Sequence, residues 1–226
     1  MGSLSQDLAV ARDIAARSPE SVPGFPGTNP EYARGALVAA AVAPGIAPFV
    51  AARVGLGSAF EGGLSYTGRS IRVDLRRSFE VGGLTLSAGL GGTAALYGND
   101  PASSLPSVDL AALKGYGADL PLLVGWQSAG ALYRVWGGLR GGFERDRLAR
   151  LTSEPKEVPQ GSTPIELEAT RLYGGGLVGA ATGFRHFHVA LELDVAYQAV
   201  QGTFNGTKVA VSGLSMSPAT AVWWTF

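Results

Sequence analysis

Residues 186–199 carry the clearest periodicity in the chain. Phe187, Val189, Leu191, Leu193, Val195, Tyr197 and Ala199 fill every odd position, while His186, His188, Glu192, Asp194 and Gln198 fall on even ones. Successive side chains of a strand point to opposite faces, so this pattern predicts a strand with one apolar and one ionisable face. Alternation alone does not name the solvent on the apolar side, because a half-buried soluble strand reads the same way.

Seven further segments read as strands separated by turn residues. Residues 49–56 set Val50, Ala52, Val54 and Leu56 against Arg53. In residues 62–79 the apolar parity moves from Leu64 and Tyr66 to Ile71, Val73, Leu75 and Phe79, with the change at Gly68-Arg69-Ser70. A bulge there would keep one strand and a turn would make two. Residues 84–97 open on Leu84, Leu86, Ala88 and Leu90, and a polar stretch, 99–119, reads as loop. A short segment with Leu122, Val124 and Trp126 follows. Residues 131–147 set Tyr133, Val135, Leu139 and Phe143 against Arg134, Arg140 and Glu144. Residues 166–184 are too rich in Gly and Ala to show their faces. Residues 186–204 come next, and after the hairpin signal Asn205-Gly206 the last segment runs to the end.

Eight strands are therefore expected. Ten follow if residues 36–43 are a strand and the break at Gly68 makes two. Connections after the third and fifth segments are long, and those near residues 80–83, 130 and 184–185 are tight. Long connections on one side and short ones on the other are the habit of membrane barrels. Ahead of the strands, residues 5–18 form a short helical pattern with Leu4, Leu8, Ala11 and Ala15 on one face, and residues 19–30 read as loop. Residues 36–52 are uncharged and about as long as a minimal membrane helix, but Pro44-Gly45 and Pro48 interrupt them, each proline costing a helix about 3 kcal/mol. Two strands around a Pro-Gly turn, or one strand after an apolar lead-in, fit better.

Composition sharpens the solvent question. The chain of 226 residues has 33 Gly, 46% apolar and only 16% charged residues, against roughly 25% charged in ordinary soluble domains. Such a chain suits one domain with a surface that largely avoids water. Its zero formal net charge offers no footprint for nucleic acid, and the absence of cysteine excludes disulfides and thiolate chemistry. No charged and apolar leader of the secretory kind is visible at the start, so the sequence is expected to be that of a mature chain.

Strand length favours lipid over a soluble sandwich or lipocalin-like barrel. Several segments approach or exceed the roughly 9–11 residues that a tilted strand needs to cross a bilayer, whereas strands usually run to about 5–6. The ionisable faces also carry complementary charges: Arg53; Arg72, Asp74 and Arg76; Arg134, Arg140 and Glu144; His188, Glu192 and Asp194. These are predicted to form a charge network that fills the lumen of a small barrel.

Candidate chemistry adds little to this. His186, His188, Glu192 and Asp194 share a face, but four residues of strand span about 13 Å, too far for one ion. The two histidines have no serine placed for nucleophilic catalysis. Gly174-Gly175-Gly176 lacks the lysine and helix of a phosphate loop. No catalytic residue, metal or cofactor is expected, and the chain is read as a non-enzyme.

The last residues carry a resemblance. Val222, Trp224 and Phe226 alternate up to a terminal aromatic, and in this the chain resembles small bacterial outer-membrane β-barrel proteins of the OmpA and OmpW kind. That likeness implies an all-β fold, an antiparallel transmembrane β-barrel over residues 31–226 with a short N-terminal helix, residues 1–30 being periplasmic or a plug. It further implies that Val222, Trp224 and Phe226 are read by the barrel-assembly machinery, and that the mature protein sits in the outer membrane among lipid and lipopolysaccharide. Tyr66, Tyr97, Trp126, Tyr133, Tyr197, Trp224 and Phe226 would form interfacial girdles. The expected function is structural or loop-mediated binding around a filled lumen; the alternative is a narrow channel or transporter for a small or hydrophobic ligand, gated by the N-terminal segment.

Overall fold

The computed structural model describes residues 4–17, 29–42, 49–67, 70–95, 113–149, 166–184 and 186–224. Two helices, α1 (Leu4–Arg17) and α2 (Pro30–Ala41), precede nine strands: β1 (Val50–Gly57), β2 (Phe60–Tyr66), β3 (Ser70–Val81), β4 (Leu84–Ala95), β5 (Lys114–Gln127), β6 (Tyr133–Ala149), β7 (Glu166–Phe184), β8 (Phe187–Phe204) and β9 (Thr207–Trp224). The strands form one antiparallel sheet in chain order, each beside its neighbours in sequence. Among the described residues β1 pairs only with β2 and β9 only with β8, so no pairing closes the sheet on itself. No described helix is long and apolar enough to cross a membrane.

Nine strands replace the expected eight because the segment 62–79 is divided, β2 ending at Tyr66 and β3 beginning at Ser70. The Thr67 amide donates to the Ser70 carbonyl at 3.0 Å, and the two hydroxyls lie 2.7 Å apart. β2 and β3 then pair with Leu64 opposite Val73 and Tyr66 opposite Ile71. Opposed residues share a face, so an even apolar set on one strand meets an odd set on the next. That is the whole cause of the parity change.

β5 corrects the sequence reading of residues 99–119 as loop. It begins at Lys114 and brings Tyr116, Leu120, Leu122, Val124 and Trp126 to one face. Its start is hard to read because Gly115 occupies the other face, where any Cβ would collide with the Asp146 carboxylate of β6.

Three hairpins turn on consecutive left-handed residues: Ser58 and Ala59 (φ 51° and 65°) after Gly57 (87°), Gly82 and Gly83 (59° and 82°), and Asn205 and Gly206 (47° and 77°). Paired positive φ values match the right-handed twist of the flanking strands. These and the β5–β6 and β7–β8 connections divide the sheet into two ends. The turn end carries the links β1–β2, β3–β4, β5–β6 and β7–β8. The loop end carries β2–β3, β4–β5, β6–β7 and β8–β9, including the long links through residues 96–112 and 150–165.

α1 follows the expected helix closely, and Leu4, Leu8 and Ala11 are buried as its apolar face requires. α2 departs from expectation, since residues 36–41 were read as strand or lead-in. Asn29 caps it, its side chain accepting from the amides of Glu31 and Tyr32, and Pro30 occupies the first turn, where its missing amide costs nothing. The helix stops at Ala41, before the prolines. The helical part of the chain thus reaches Ala41 rather than residue 30.

Both helices lie on one face of the sheet, α2 against β6–β9 and α1 against β9. Gly35 lets them approach, for a Cβ there would overlap Ala11. Their apolar side chains join Leu113, Leu167, Ala169, Val200, Phe204, Val209 and Val211 in one core at the loop end. Tyr32 meets Phe204 edge to face at 5.9 Å. We call this side the helix face and the other the bare face.

Candidate functional site

Strand parity sends the ionisable residues to the helix face, below the helical core. Asp74 on β3 is the first hub. Arg53 on β1 donates to it from Nη2 at 2.8 and 3.0 Å, Arg72 from Nη1 at 2.6 Å, and Arg76 forms an ion pair at 3.3 Å. Asp119 on β5 is the second. It accepts from Nε and Nη2 of Arg72 at 3.2 and 2.8 Å and from Arg140 on β6 at 2.8 Å. Arg72 therefore joins the two hubs. The side chains of Asp74 and Asp119 are 1% and 5% exposed, so each buried carboxylate is held by several guanidinium groups, as burial of a charge demands.

The reach of these arginines depends on glycine. Arg53 passes over β2 at Gly63, where a Cβ would meet both Asp74 and the Arg53 guanidinium. Arg72 passes over β4 at Gly91, whose Cβ position is taken by Arg72 and Asp119. Two strands thus present empty positions so that charges on alternate strands can touch.

The remaining expected residues sit on the same face but not in that network. Glu144 pairs with Arg171 on β7. The Tyr173 ring lies beneath both Arg140 and Arg171, 5.8 and 5.0 Å from their guanidinium carbons. Glu192 accepts from the Trp136 indole at 2.7 Å. His188 is buried and stacks on Trp223 at 5.2 Å. The side chains of Arg134 and Asp194 make no hydrogen bond or close ion pair with a described residue. Sequence reasoning missed Asp119, Arg171, Tyr173 and Trp136. The parity of Leu122, Val124 and Trp126 carried backward past Leu120 would have found Asp119; the glycine run 174–176 hid the faces of β7. No group of three or more described His, Asp or Glu residues could hold a metal ion.

The bare face is apolar across the whole sheet. Leu120, Leu139, Val178 and Leu191 are each more than 60% exposed, and Val54, Leu64, Val73, Leu90, Met216 and Val222 are exposed beside them. Val222 and Trp224 of the terminal pattern lie on this face, and Phe226 lies outside the described residues. Toward the turn end the face finishes in Trp126, Tyr133, Phe184, Phe187 and Trp224; toward the loop end it finishes in Tyr116, Phe143, Leu172, Tyr197 and Leu214. Past that second row come Lys114, Arg145, Arg147, Glu166, Glu168, Gln201 and Lys208, with Glu168 in exposed ion pairs to Arg145 and Arg147. One charge interrupts the apolar face elsewhere. Arg77 lies 5.2 Å from the Phe60 ring centre and 4.9 Å from that of Phe79, beside the β1–β2 turn.

No protein-family model, curated protein or solved structure matches this chain.

Proposed function

We infer that the protein is an integral membrane protein of the outer-membrane kind, whose sheet forms the wall of a small β-barrel and whose role is structural or carried by the loop end. The observation that carries this reading is the height of the apolar band. Trp126 to Tyr116, Tyr133 to Phe143, Phe187 to Tyr197 and Trp224 to Leu214 are each ten residues apart, and Phe184 to Leu172 on β7 twelve. Ten residues of strand span about 34 Å. Tilted by about 40°, they cover about 26 Å, close to the roughly 25 Å apolar band of a membrane barrel with aromatic girdles. A water-facing sheet has no reason to keep that interval on strand after strand.

The helix face supports a filled interior rather than a wide pore. Asp74 and Asp119 tie four arginines together across β1, β3, β5 and β6, and the helices occupy the loop end. Sequence-variable binding is usually carried by long loops on a rigid scaffold, and the two longest links leave from that end. The reading is tested by refolding the chain from urea into detergent and phosphatidylcholine vesicles. Heat-modifiable gel migration and protection of the strands from added protease are expected. A monodisperse, folded monomer in buffer without detergent would overturn it.

A further inference from the structure

β1 and β9 are the two edges of the sheet, and both run from the loop end to the turn end. β1 is exposed at every position. The turn-end half of β9 is exposed on both faces, Ser217, Ala219 and Ala221 included. In lipid, an open edge leaves a row of amide and carbonyl groups with neither water nor a partner. Pairing β1 directly with β9 would be parallel. A single strand between them, running from the turn end to the loop end, would be antiparallel to both.

The chain holds a segment of the right kind immediately before β1. Residues 35–42, Gly-Ala-Leu-Val-Ala-Ala-Ala-Val, are uncharged and equal in length to Val50–Gly57. Residues 43–49 join the two and contain the turn signal Pro44-Gly45. In the structure this segment belongs to α2 and its C-cap, with Val38 only 2% exposed. Helical sequence preference explains that position, since alanine favours helix over strand. Residues 35–42 are apolar on every side, so this segment needs no water-facing side.

We propose that residues 35–42 have a second position, as a tenth strand inserted between β9 and β1 when the protein enters a bilayer. The proposal rests on the membrane reading above. Paired as a hairpin with β1, the segment sets Val42 across from Val50 and Val38 across from Val54. Ala36, Val38, Ala40 and Val42 then continue the bare face, and Gly35, Leu37, Ala39 and Ala41 line the helix face with small or apolar groups. Both ends of the resulting ten-stranded sheet lie at the turn end. The exchange uncovers Leu167, Val200, Phe204 and Val209. These lie on the loop side of the row formed by Leu172, Tyr197 and Leu214, outside the apolar band. What the exchange satisfies lies inside that band, where no water can substitute.

The absence of cysteine makes the test direct. A Val38→Cys/Val54→Cys chain is refolded into phosphatidylcholine vesicles, its insertion is verified by heat-modifiable migration, and it is oxidised mildly. A disulfide within most inserted chains is expected. In the helical position Val38 is buried on the helix face while Val54 is 61% exposed on the other side of the sheet, so no bond can form. Inserted protein lacking the 38–54 bond overturns the proposal. A Val54→Cys/Thr220→Cys bond within one chain overturns it in favour of parallel closure, and the same bond between chains in favour of a second copy. A chain that does not insert overturns the membrane reading and the tenth strand with it.

Discussion

Asp74 and Asp119 concentrate the electrostatic design of the helix face in two side chains. Removing one hub strands the arginines that surround it, and an uncompensated buried charge typically costs about 3–5 kcal/mol. Asp119→Ala is therefore expected to lower stability by that order, read as the urea midpoint of the detergent-refolded protein. Arg147→Ala, at a side chain 70% exposed, should change it by no more than about 0.5 kcal/mol. Equal effects would show that the hubs are not structural. The glycines make a companion prediction: Gly91→Val places a branched side chain where Arg72 crosses β4, and overpacking of this kind costs about 1–3 kcal/mol. The network's four arginines were legible from alternation, because charges that alternate with apolar residues mark their face of the strand. Asp119 and Arg171 were not, since glycine at neighbouring positions erases the alternation while serving the packing.

Strand bounds were legible in β7, β8 and β9, whose ends lie beside clear loop or turn signals, and less closely where turn chemistry is unusual. Ser58-Ala59 is such a place: neither residue signals a turn, yet both take positive φ. A left-handed conformation costs a residue with a Cβ roughly 1–2 kcal/mol, partly offset in glycine by the entropy it loses on folding. Ala59→Gly is thus expected to raise stability by about 0.5–1 kcal/mol, and Gly206→Val to lower it by about 1–3 kcal/mol, both measured by denaturant unfolding. A loss of stability in Ala59→Gly would mean that the β1–β2 hairpin does not turn there. α2 escaped the sequence reading for another reason. An apolar run of alanines and valines has no polar residue to set a period, so helix and strand read alike.

Taken whole, the molecule is a sheet with one apolar and one charged face, and one substitution can ask which solvent the bare face meets. Leu191→Arg puts a charge near the middle of the band. In a bilayer it should cost about 2–4 kcal/mol, against no more than about 0.5 kcal/mol for an exposed site in water. Unfolding measured in vesicles of short-chain phosphatidylcholine separates the two, and a neutral result there would remove the lipid assignment. The sequence by itself determined the all-β class, the antiparallel order and the two unlike faces, because period-two alternation and turn residues are local and survive in one dimension. Only the tertiary structure decided which charges meet, that β2 and β3 are two strands rather than one, and that residues 30–41 fold as a helix over the loop-end core. Those outcomes depend on what lies across the sheet. A hydrogen-bonded partner two strands away, or the glycine on the strand between, has no trace in the residues beside it.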